Sequence, residues 1–104
     1  MTPEMLTALT ETIAGLRKVA EHPSQVDCSQ DETSIANLMW MCDTLLEKIS
    51  DLPEDKINRW IGFVQGVLAA RGCLSVAAER DRTRPLFHAA YQSQGIEIPK
   101  SLSM

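Results

Sequence analysis

Ile57-Asn58-Arg59-Trp60-Ile61-Gly62-Phe63-Val64-Gln65-Gly66-Val67-Leu68-Ala69-Ala70-Arg71-Gly72 holds the strongest architectural signal in the chain. Ile57, Trp60, Ile61, Val64, Val67 and Leu68 recur at three- and four-residue spacing, so a helix here carries one large apolar face. Its start is marked by Asp51 or Leu52 as cap, Pro53 early and two acids, Glu54 and Asp55, in the first turn. Gly72 is a natural left-handed stop. On the side away from the large stripe lie Gly62, Gly66 and Ala69, with Ala70 at the edge. A glycine inside a helix costs about 1 kcal/mol relative to alanine. Two of them one turn apart imply that another backbone comes close. The expectation is a third helix buried on both sides, central to an all-α bundle of four or five helices.

Towards the N-terminus, residues 2–21 predict the first helix. Thr2 can cap it, Pro3 suits the first helical position, Glu4 complements the dipole, and His22-Pro23 ends it. Leu6, Leu9, Ile13, Leu16 and Ala20 form one narrow seam. Residues 23–31 are polar and read as a loop. A second helix begins near Asp31 or Thr33, and Ile35, Leu38, Cys42, Leu45 and Ile49 repeat the same spacing, with Met39 and Leu46 widening the face. Matched seams on consecutive helices suggest an antiparallel pair, formed within the chain or across a homodimer.

Towards the C-terminus, Ser75 caps a fourth helix. Pro85 lacks an N–H and clashes with the preceding turn, so a kink or break is expected there, with Thr83 able to cap a new helix. Leu86, Phe87, Ala90 and Tyr91 give the last segment its apolar face, and Gly95 is its stop. Ile96 to Lys100 should be extended and the final residues frayed.

The 104 residues suit one helical domain, with 44% hydrophobic and 23% charged residues. No apolar run approaches a membrane span and no signal segment is evident, so a cytoplasmic location is expected. The net charge of −4 is uneven, at −6 over residues 1–52 and +2 over residues 53–104. An acidic front half disfavours nonspecific DNA binding and suits solubility or a basic protein partner. Cys28, Cys42 and Cys73 are odd in number and lie outside metal-motif spacing.

No catalytic signature is found, and neither enzyme activity nor a cofactor is expected. Magnesium-holding helical hydrolases place carboxylates as Glu-x-x-Glu, and that pattern is absent; Glu47, Asp51, Glu54 and Asp55 straddle a loop and a proline. His22 and His88 have no ligand-spaced neighbours. In Glu79-Arg80-Asp81-Arg82-Thr83-Arg84, the i, i+3 acid–arginine pairs make the tract largely self-neutralised, yet Arg80, Arg82 and Arg84 with Tyr91 could still meet an acidic partner or phosphates. Gly72 sits in a short turn between helices, as a helix-turn-helix requires, but Val76-Ala77-Ala78 is an apolar start for a recognition helix, and a plain hairpin fits better. Trp40 projects opposite the second helix's seam, among Ala36, Asn37, Asp43 and Thr44, and is either covered by another segment or presented to a partner.

The run from Asn58 to Leu68, followed by that from Glu79 to His88, resembles a segment of small accessory proteins of tailed phages and prophages of enteric bacteria. The likeness spans about a third of the chain and is local to the C-terminal half. It implies expression in a bacterial host cytoplasm and an activity of the kind many such proteins have: binding a host protein, such as a defence nuclease, and modulating or inhibiting it. It transfers no residue role. The expected function is a non-enzymatic protein-interaction module using Trp40 or the tract at Arg80, Arg82 and Arg84; the alternative is a small nucleic-acid-binding protein using residues 80–84.

Overall fold

The computed structural model describes residues 1–22 and 32–96. Its helices are α1 (Pro3–Ala20), α2 (Ile35–Lys48), α3 (Glu54–Ala70) and α4 (Val76–Ser93), with no strand among the described residues. The expected loop at 23–31, Cys28 and the tail beyond Ile96 lie outside them.

Local chemistry sets most helix ends. The Thr2 hydroxyl accepts from the Met5 N–H at 3.2 Å, with Pro3 in the first position. Ser34 accepts from Asn37 N–H at 3.0 Å, which starts α2 a little later than Asp31 or Thr33 would. Ser75 does the same for α4 through the Ala78 N–H. At α3 the cap is Pro53 rather than Asp51 or Leu52; it makes no side-chain bond, and Glu54 and Asp55 offset the free N–H groups electrostatically. The α3 terminus is closed by Gly72 at φ +75°, with Gly72 N–H donating to the Ala69 carbonyl and Cys73 N–H to that of Leu68. Gly95 repeats the arrangement after α4.

The centre is α1, not α3. α1 packs against all three other helices. Leu9, Ile13, Leu16 and Ala20 of its seam are buried and Leu6 is partly buried, while Met5, Ala8 and Thr12 are buried on the adjoining stripe, so its covered arc is wide. Gly62 and Gly66 are solvent-exposed, and a Cβ built at either would meet nothing within 4 Å. The inference of a close backbone at these glycines is therefore overturned: α3 buries Ile57, Ile61, Val64 and Leu68 and leaves its small face open. The close approach occurs at Gly15 of α1, where a Cβ would lie 2.5 Å from Nη1 of Arg82.

The two matched seams pair inside this chain. Leu9, Ile13, Leu16 and Ala20 are buried with Ile35, Leu38, Cys42, Leu45 and Ile49 in one cluster, and Leu6 is partly buried against it. Outside the core, Arg17 ties α1 to α2 by donating from Nε to Asp43 at 2.8 Å, and it also pairs with Glu21.

Pro85 does not break the last helix, which runs uninterrupted from Val76 to Ser93. Proline removes one backbone hydrogen bond there. Around it, the Thr83 hydroxyl donates to the Glu79 carbonyl at 2.9 Å, and Leu86, Phe87, Ala90 and Tyr91 pack the downstream turns onto the core.

Candidate functional site

Packing of α2 against α3 brings Trp40 against Trp60, with ring centroids 5.7 Å apart and planes tilted by 41°. Trp60 stands at the edge of the α3 apolar face and is half-buried; Trp40 stands opposite the α2 seam and keeps 57% of its surface exposed. Lys56, one turn before Trp60, places its ammonium 5.3 Å from the Trp60 ring centroid. A tilted aromatic pair contributes about 0.5–1.5 kcal/mol beyond area burial. An exposed cation over indole adds about 0.5–1 kcal/mol. These contacts set the two rings side by side and leave more than half of the Trp40 surface to solvent. Neither Trp60 nor Lys56 was singled out by sequence reasoning as a site residue. Their i, i+4 spacing was visible, but the register that sets Trp60 beside Trp40 was not.

The arginine tract does not form one basic surface. Arg82, expected at a partner surface, is committed within the chain: Nε donates to Glu79 at 2.8 Å, and Nη1 and Nη2 donate to the α1 carbonyls of Glu11 and Thr12 at 3.2 and 3.3 Å. Glu79 is only 7% exposed and also accepts from Gln65 of α3 at 2.9 Å. The cause is Gly15, whose missing side chain lets the guanidinium lie on the α1 backbone. Arg84 faces Asp81 at 3.9 Å, near the limit of an ion pair. Arg80 is exposed beside a groove of about 290 Å³ between α3 and α4, lined by Gly66, Ala69, Leu74, Val76 and Thr83. Tyr91 lies near Phe87, with centroids 6.3 Å apart and planes tilted by 39°, and is half-buried. Trp40 and the tract thus sit on different helix pairs and do not converge.

Nothing else among the described residues gathers reactive groups. Among the described residues, no set of three His, Cys, Asp or Glu side chains could hold a metal ion. Cys42 is buried in the seam, and burial pushes its thiol up to about 11, with Asp43 acting in the same direction and Arg17 opposing. A thiol so placed is a poor nucleophile. An apolar groove of about 310 Å³ runs between Pro3, Thr7 and Ala8 of α1 and Pro85, Leu86 and Ala89 of α4. Among the described residues no helix is long and apolar enough to cross a membrane. Comparison with family models, with curated proteins and with solved structures finds no match.

Proposed function

We propose that this protein is a non-enzymatic interaction module, encoded by a phage or prophage, that acts in the host cytoplasm by binding and modulating a host protein such as a defence nuclease. The observation that carries the reading is the Trp40–Trp60 pair, an aromatic surface with Trp40 more than half exposed. Tryptophan is the most frequent anchor of protein interfaces, because one rigid side chain desolvates a large area at small entropic cost. Binding would occlude the partner's surface and requires no chemistry from this chain. The nucleic-acid alternative is less supported, since Arg82 spends its donors on Glu79 and on α1 carbonyls.

Immobilised wild-type protein and its Trp40→Ala variant, each exposed to an enteric-bacterial lysate, test the reading. One protein retained stoichiometrically by the wild type and lost from the variant is the expected result. Equal retention by both, or binding only of nucleic acid with steep salt dependence, contradicts it.

A further inference from the structure

We infer, building on the reading of Trp40 as an interface anchor, that the solvent face of α2 takes an arginine-bearing basic segment of the partner protein. Ala36, Trp40, Asp43 and Glu47 follow one another at helical spacing, so they form one stripe, and each is exposed. Glu32, also exposed, adjoins the start of that stripe, where its backbone carbonyl accepts from the Asn37 side-chain amide at 2.7 Å. Trp40 thus stands between the carboxylates of Glu32 on one side and of Asp43 and Glu47 on the other. The one base of α2, Lys48, lies about 100° round the helix from Glu47.

The cations nearby are engaged or stand on the other flank. Arg17 of α1 donates to Asp43 at 2.8 Å and pairs with Glu21 as well, so one guanidinium serves two carboxylates. Glu47 makes no ion pair among the described residues. On the α3 flank, Arg59 faces Asp55 at 3.7 Å, and Lys56 lies over the Trp60 ring. Lys56 shows on the neighbouring indole how a cation sits here; among the described residues, no cation of this chain lies over Trp40. Arginine suits that place better than lysine. Its planar guanidinium is weakly hydrated and stacks on an aromatic ring while its N–H groups stay free for carboxylates. Further bases of the same segment would meet Asp43, one turn on, and Glu47, two turns on. An acidic segment would instead meet Glu32 and Glu47 as like charges. The net charge of −6 over residues 1–52 draws a basic partner towards this end of the chain.

NMR of the full chain, titrated with acetylated and amidated tetra-arginine, tetra-lysine and tetraglutamate, tests this. Tetra-arginine should shift the Trp40 indole N–H together with the Ala36, Asp43 and Glu47 amides, saturably, and bind about threefold tighter than tetra-lysine. Tetraglutamate should shift none of them. Trp40→Ala should weaken tetra-arginine by about fivefold and Glu47→Gln by about threefold, and added salt should weaken it further. The inference is overturned if tetraglutamate moves the Trp40 indole as far as tetra-arginine does, if tetra-arginine binds no tighter than tetra-lysine, if its shifts centre on other acids such as Glu54 and Asp55, or if no peptide moves the Trp40 indole. A shift of that indole with protein concentration alone overturns it too, since the occupant would then be a second copy. After any of these results the interface reading still stands where capture from lysate depends on Trp40. Tetra-arginine seated as expected, with no Trp40-dependent capture, would sink the host-partner reading and keep the chemistry of this face.

Discussion

Glu79 and Arg82 are three residues apart on α4, and that spacing alone marks them as an ion pair. Their inward placement could not be read from the tract, because it depends on Gly15, sixty-seven residues earlier, lying opposite. Trp40 is the converse case. Its position opposite the α2 seam follows from helical periodicity, and its 57% exposure agrees with it; only its neighbour Trp60 needed the tertiary register. Trp40→Ala should keep the fold and lose about 1 kcal/mol, the worth of the ring pair, as measured by urea denaturation. A much larger loss would mean that Trp40 is structural. Cys42 makes a second prediction at this scale. Its thiol titrates near 11 in the folded chain against 9.0 when unperturbed. Between those values the native state keeps a proton that the unfolded chain has lost, so stability falls as pH rises from 9 towards 11. The drop should approach about 2 kcal/mol, be absent below pH 9, and vanish from the profile of Cys42→Ala.

Helix termini were the most legible elements. Thr2, Ser75, Gly72 and Gly95 act as their residue types and positions imply, since caps and left-handed stops are settled by the few residues around them. Ser34→Ala should therefore cost about 1 kcal/mol in denaturant titration, with α2 fraying at Ile35. Helix interiors were less legible. Pro85 reads locally as a break, yet Arg82 anchored on α1 before the missing bond and Leu86, Phe87 and Ala90 packed on the core after it carry α4 through it. Pro85→Ala should stabilise the protein by about 1–3 kcal/mol in urea denaturation; a loss would show instead that the proline's place in the lining of the α1–α4 groove matters more than the bond it removes.

For the whole molecule, pairing of the first two seams and the all-α class were legible from spacing, but the identity of the central helix was not. The glycines of α3 drew attention because two of them share a face, whereas Gly15 stands alone between Ala14 and Leu16. Ala8, Thr12 and Gly15 form a second covered stripe on α1 that no apolar pattern announces, since small side chains bring helices close without adding hydrophobicity. The most direct check is one urea titration comparing Gly66→Ala with Gly15→Ala. Both gain the same helix propensity, about 1 kcal/mol. With α1 at the centre, Gly66→Ala should stabilise by that amount, because its methyl meets open solvent, while Gly15→Ala should lose about 1 kcal/mol net as Arg82 is displaced from the Glu11 and Thr12 carbonyls. Equal stabilisation of the two variants, or destabilisation by Gly66→Ala, would contradict the arrangement.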